Sequence, residues 1–188
     1  MLSKNLALPS NFILEAVQLL IKQPELLLNI ESLRVSYAKL RIQEAQKLSE
    51  GKLNVSTHEF TDSENIIKNT FRHNLESLDP QIAFMRPIGL LGPLLGMDQI
   101  LNHLHETKVL IIGPRTEAEI LWYISKGFNK DNIVGLDLFS YSEFIKTGDM
   151  HQIPFEDNSF DVVNFSWVLG YSTNQKQAVQ EAYRVVKT

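Results

Sequence analysis

Lys108-Val-Leu-Ile-Ile-Gly-Pro-Arg-Thr-Glu-Ala-Glu119 is the stretch that decides the fold. Its apolar run has the length of a strand and stops at a glycine. Such unbroken runs belong to parallel strands whose two faces are both covered. Thr116 and Glu119 stand at capping-box spacing, so a helix opens there, and Gly127 closes it. The pattern then repeats. Asn132-Ile-Val-Gly-Leu-Asp137 is a second buried strand, ending in an acid. A short polar segment leads to Thr147-Gly-Asp149-Met150, and the turn-rich Pro154-Phe-Glu-Asp-Asn158 precedes a further strand, Phe160-Asp-Val-Val-Asn-Phe-Ser166. Ser172 and Gln175 have the spacing to cap a last helix, with Ala178, Val179, Ala182, Val185 and Val186 as its buried face. Strands alternating with helices argue for βαβ units in a parallel sheet.

Upstream, the texture changes. Residues 1–107 read as helices joined by loops, and residues 108–188 as α/β. Helices are expected from Ser10 or Asn11 to Lys22, from Glu31 to Glu50, and from Thr61 to Leu78. Arg86-Pro-Ile-Gly-Leu-Leu-Gly-Pro-Leu-Leu-Gly96 is too rich in glycine and proline for a regular helix, yet too apolar for a solvated loop. It should line the domain interface or a pocket, with the interface favoured. A short helix from Met97 to His105 would bury Met97, Ile100, Leu101 and Leu104.

Composition narrows the function. Hydrophobic residues are 44% of the chain and charged residues 21%, which argues against global disorder. The net charge of −4 disfavours a broad nucleic-acid surface. The absence of cysteine excludes disulfides, thiolate metal sites and cysteine nucleophiles. No apolar run approaches the ~20 residues of a membrane span, and Met1 to Pro9 make a poor signal peptide. The expectation is a soluble, cytoplasmic protein that does not engage membrane. His103 and His105 point to different helix faces, and His58, His73 and His151 are scattered, so no metal site is expected.

Ligands of open α/β sheets sit beyond the carboxyl ends of the strands. Four places qualify: Gly113 to Glu117, Asp137 to Ser140, Asp149 to His151, and Phe165 to Trp167. At the first, backbone N–H groups at a helix start can hold an anion, and Gly113 removes a side chain; it also serves simply to allow the turn. Asp137 suits an acid accepting both hydroxyls of a ribose, or one capping the next turn. Asp149 could take the exocyclic amine of a base, with the Met150 backbone on the ring edge, or be a turn residue after Gly148. Phe165 and Trp167 could stack on a ligand or belong to the core. His151 and Tyr171 are weak candidates for a general base.

These residues resemble a family. Gly148-Asp-Met-His-Gln-Ile-Pro-Phe-Glu-Asp-Asn-Ser-Phe-Asp-Val-Val163, then Trp167-Val-Leu169 and Glu181-Ala-Tyr-Arg-Val-Val-Lys187, are similar to the class I S-adenosylmethionine-dependent methyltransferases. Val134-Gly-Leu-Asp137 resembles the family's second strand. The resemblance covers residues 108–188 and implies an incomplete Rossmann-like parallel sheet of about four strands in order 3-2-1-4, preceded by a helical N-terminal region. It implies S-adenosylmethionine as cofactor. Gly113, Pro114 and Arg115 would form the cofactor loop, Asp137 and Leu138 the ribose site, Asp149 and Met150 the adenine site, and Phe165 and Ser166 the border of the methionine and methyl.

Two departures stand out. The family loop carries an acid followed by alternate glycines, whereas Ile111 replaces the acid, and Arg115 and Glu117 replace two glycines. Arg115 would obstruct the loop or grip the cofactor carboxylate. The family sheet also continues by three strands, so Phe160 to Ser166 should be an apolar edge needing cover. The N-terminal helices, a second copy in a homodimer, another protein or a further C-terminal part would supply it. Three functions follow from this sequence: methyl transfer to an unidentified acceptor, a non-catalytic interaction module on the same scaffold, and a nicotinamide-dinucleotide enzyme, for which only the first glycine of the fingerprint is present.

Overall fold

Val109 and Ile111 point to one face of a sheet, Leu110 and Ile112 to the other, and all four are buried. A computed structural model thus shows why the deciding stretch has no polar alternation: both faces of its strand are covered. The structure describes residues 15, 18–19, 22–23, 56–57, 89–114, 117–140 and 142–188. The expected helices over 31–50 and 61–78, most of the one ending at Lys22, Arg86 to Ile88, Arg115 and the Thr116 cap lie outside the described residues.

In chain order the elements are β1 (Ser56–Thr57), α1 (Asp98–Leu101), β2 (Val109–Ile112), α2 (Glu117–Ser125), β3 (Ile133–Asp137), β4 (Phe139–Ser140), β5 (Ile145–Thr147), β6 (Val162–Phe165) and α3 (Gln175–Val185). β5, β3, β2 and β6 form a parallel sheet in that order, the expected 3-2-1-4 arrangement. β1 pairs antiparallel with β4 in a separate two-stranded ribbon. The fold is α/β with an incomplete Rossmann-like sheet.

Each face of the sheet has its own core. On one, Val109, Ile111, Ile133, Ile145 and Val162 pack against Ile120, Leu121 and Ile124 of α2 and against Leu91 and Leu94. On the other, Leu110, Ile112 and Leu136 meet Ile153, Phe160 and Val185. In α3, Ala178, Ala182 and Val185 are buried at helical spacing; Val179 is exposed and Val186 half-buried, contrary to expectation. Position 179 lies next to Ala178 in sequence and so on a different side of the helix. The cap also moves: Asn174, rather than Ser172, accepts the Gln177 N–H at 3.2 Å.

The Gly/Pro-rich segment corrects the sequence reading most. Residues 89–95 are helical. Leu91 and Leu94 enter the core, while Gly92 and Pro93 stand exposed. The breakers occupy the solvent side of a short helix, and Pro93 interrupts its hydrogen-bond ladder at one place only. Gly96 ends it, donating to the Gly92 and Pro93 carbonyls. α1 is shorter than expected, and Met97 and Leu101 are about half exposed rather than buried; Ile100 and Leu104 pack against the core.

The link from β3 to β5 spans only residues 138–144 and contains no helix among its described residues. Parallel neighbours ordinarily need a crossover of a dozen residues or more. Here serines make the return. Ser140 Oγ donates to the Ser142 carbonyl at 2.8 Å and accepts the Ser142 N–H at 3.1 Å, and Gly135 N–H closes the loop on the Phe144 carbonyl at 2.8 Å. At the other edge, Phe160 and Val186 form a parallel bridge, with Lys187 N–H donating to the Phe160 carbonyl at 2.8 Å. Among the described residues no strand pairs with the outer edge of Val162–Phe165.

Candidate cofactor site

The parallel register brings the carboxyl ends of β2, β3 and β5 side by side. Ile112 pairs with Leu136, and Asp137 pairs with Thr147. Asp137 ends β3, and Asp149 follows β5 by two residues, so two half-buried carboxylates come to one edge of the sheet. Asp137 Oδ1 accepts the Leu138 N–H at 2.7 Å, and its carbonyl accepts the Gly148 N–H at 2.9 Å. Gly148 is buried and leaves no room for a side chain, since an added Cβ would lie 2.6 Å from Leu136 Cδ1.

Asp149 belongs to a relay. Its Oδ1 accepts the His151 backbone N–H at 2.9 Å and lies 2.6 Å from His151 Nδ1. His151 Nε2 lies 2.7 Å from Ser172 Oγ. A carboxylate only accepts, so Nδ1 carries the proton, and in the neutral ring Nε2 accepts from the serine hydroxyl. Met150 packs its side chain on the second core.

The turn after β2 is built by packing. Gly113 has a left-handed φ of +71° and donates its N–H to the Leu136 carbonyl at 2.8 Å. A side chain there is excluded twice, since an added Cβ would lie 2.6 Å from Val168 Cβ. Pro114 is fully buried, its ring against Gly135. After β6, Phe165 packs on the second core, and Ser166 is buried, donating its hydroxyl to the buried Glu119 of α2. Trp167 adopts a φ of +60° and stands 59% exposed. For a bulky side chain that backbone stores strain, a feature that clusters at ligand sites.

The loop after β5 is clamped to α3. Glu181 Oε2 accepts the Ile153 N–H at 2.9 Å. Arg184 donates to the Phe155 and Ile153 carbonyls at 2.9 and 2.8 Å, to Asp157 at 2.7 Å and to both oxygens of Glu181. The Arg184 bond holds the Glu181 carboxyl below its ordinary range, and the ion pairs raise the guanidinium further. Elsewhere, burial pushes the Tyr123 phenol up, and Asn164 donates to it at 2.6 Å beneath the sheet. Among the described residues no cluster of His, Asp or Glu could hold a metal ion, and no helix is long and apolar enough to cross a membrane.

Residues 116–188 match the family model described as a methyltransferase domain. That stretch of the chain is thus similar to the methyltransferase domains, in keeping with a class I S-adenosylmethionine-dependent methyltransferase scaffold. Domains of this class use S-adenosylmethionine as methyl donor. Over 41 residues the chain is 46% identical to the ubiquinone/menaquinone biosynthesis C-methyltransferase UbiE of Ruegeria sp. (strain TM1040), a match covering 22% of this chain and 16% of that protein. No solved structure gives a significant match.

Within this methyltransferase-like domain the structure brings Gly113, Pro114, Asp137, Leu138, Asp149 and Met150 to one edge of the sheet, with Phe165 and Ser166 at the end of the neighbouring β6. Sequence reasoning missed Glu119, Val168 and Ser172 as parts of that edge. Ser172 read as a helix cap and Glu119 as half of a capping box, so both were assigned local partners. Ser172 also meets His151, 21 residues away, and Glu119 meets Ser166, 47 residues away.

Proposed function

We propose that the chain binds S-adenosylmethionine across the carboxyl ends of β2, β3 and β5 and transfers its methyl group to an acceptor. The observation that carries this reading is the pair Asp137 and Asp149, half-buried at the carboxyl ends of two adjacent parallel strands, where such ligands bind. The residues present fit the adenosine half of the cofactor. A carboxylate at Asp137 can accept ribose hydroxyls, and Asp149 can accept a nucleobase amine. When bound, the cofactor supplies an activated methyl on its sulfonium for a nitrogen, oxygen or carbon nucleophile. The chain's contribution is proximity and orientation, with Gly113 and Phe165 at the methionine end. The acceptor is a small molecule, lipid, sugar or protein rather than nucleic acid, given the net charge of −4. The reading includes a cytoplasmic location, which the cysteine-free sequence suits, and a partner or second copy over the outer edge of β6.

One observation favours the second reading, a non-catalytic module on the same scaffold: Val168 fills the space over Gly113. Calorimetric titration with S-adenosylmethionine and S-adenosylhomocysteine separates the two. Binding by the intact chain, weakened at least tenfold by Asp137→Ala, supports the first. No binding supports the module, and binding untouched by Asp137→Ala overturns the site.

A further inference from the structure

Both bonds that His151 makes to Asp149 go to Oδ1. The imidazole is itself held at every polar atom. Ser172 meets Nε2 at 2.7 Å, and Gln177 Nε2 donates to the His151 carbonyl at 2.8 Å. Ser172 Oγ also accepts the Asn174 N–H at 3.1 Å, which fixes the hydroxyl at the turn into α3. The side chains of His151 and Asp149 are 17% and 21% exposed, so the bonds are largely shielded from water. The order of atoms is that of a hydrolytic triad. Ser172, however, is committed to capping the turn, so the relay is read from its carboxylate end.

We propose that His151 is a positioning residue for nucleobase recognition: with Ser172 it fixes the Asp149 carboxylate so that Oδ2 accepts the exocyclic amine of the purine. The inference rests on the cleft being the S-adenosylmethionine site and assigns a role to two residues beyond it. A carboxylate offers about four lone-pair sites. His151 takes two of them on one oxygen and thereby selects which oxygen meets the ligand. The relay also ties the loop after β5 to the turn that leads into α3 through one ring. A polar group held in this way discriminates by the penalty it imposes on a ligand lacking the matching donor.

The test uses the full chain and two ligands, S-adenosylhomocysteine and its 6-deamino analogue, in which hydrogen replaces the amine. Wild type should prefer the amine-bearing ligand by about tenfold or more, as one shielded charge-assisted bond implies. His151→Ala should weaken S-adenosylhomocysteine about tenfold and leave the deamino analogue nearly unchanged, collapsing the preference. His151→Asn, which can still donate to Asp149, should restore part of it, and Ser172→Ala should fall between. An unaltered preference in His151→Ala overturns the inference alone. So does equal loss of both ligands in a variant with unchanged melting temperature, which marks a merely structural residue. Wild type that binds neither ligand overturns the cofactor reading itself and this inference with it.

Discussion

The loop after β5 and the turn after β2 stand at the same edge of the sheet but are held by different physics. Asp149 to Asp157 is tied by hydrogen bonds: Ser172, Gln177, Glu181 and Arg184 of α3 and its approach reach back to it. The turn at Gly113 and Pro114 is held by contact, with Val168 on one side and Gly135 under the proline ring. A network of polar bonds loses its strength piecewise, because each bond is worth about 0.5–1.5 kcal/mol net. A close-packed turn has no such gradation, because a neighbour that cannot move turns one added methyl into a clash.

The largest effect should come from Gly113→Ala. It adds a Cβ 2.6 Å from Val168 Cβ at a left-handed φ, so chemical denaturation should show a loss of about 2–4 kcal/mol. Pairing it with Val168→Gly, which removes all three clashing atoms, should recover part of the loss; a double variant no better than the sum would show that the backbone, not the contact, dominates.

Arg184→Ala tests the other side. It removes bonds to two carbonyls and two carboxylates, but the arginine is partly exposed, so about 1–3 kcal/mol is expected by the same measurement. Faster hydrogen exchange should appear at Ile153 to Asp157 and not at Gly113. A uniform change would erase the contrast between the two loops.

A smaller effect concerns pH. The carboxyl of Glu181 lies below its ordinary range through the Arg184 bond. Burial pushes the Asp161 carboxyl up, but the Lys187 bond, the Lys108 N–H and the two ammonium charges outweigh it and lower it. A depressed folded value means that the stabilisation is complete above the ordinary carboxylate value and is lost as pH falls through the folded one. Stability should therefore decline below about pH 4.3. Glu181→Gln should flatten that decline, and Gly113→Ala should leave its slope unchanged.

The smallest effect belongs to Trp167→Gly. Relieving a left-handed backbone should gain about 1 kcal/mol, offset by the contact of the indole with Gly89, so the melting temperature should move by only a few degrees.

The same contrast explains what could be read from the chain alone. Val109 to Ile112, Asp137 and the α3 pattern were legible because burial on both faces, or on one helical stripe, writes itself into local periodicity. Ile145 to Thr147 was not, since a three-residue strand with one buried side chain has no period to detect. Nor was the helix at 89–95, where glycine and proline suggest a break unless one knows that solvent lies on their side. The Asp149 relay was half legible. Its acid and histidine are neighbours in sequence, but the serine comes from the far side of β6, and only the folded chain brings it within 2.7 Å.

The short return between β3 and β5 has a consequence for the order of assembly. In that pair, Gly135 meets Ile145 ten residues on; β2 meets β3 at a separation of 24 (Val109 with Ile133) and β6 at 53 (Val109 with Val162). Closing the shortest of these loops rather than the longest saves roughly 1.4 kcal/mol of chain entropy, at about 0.6 kcal/mol per doubling of length. The β3–β5 unit, which carries both Asp137 and the approach to Asp149, is thus placed to form early and to serve as the surface on which β2 and then β6 condense. Pulse-labelled hydrogen exchange during refolding would show it as protection at Gly135 and Gly148 ahead of protection at Ser166.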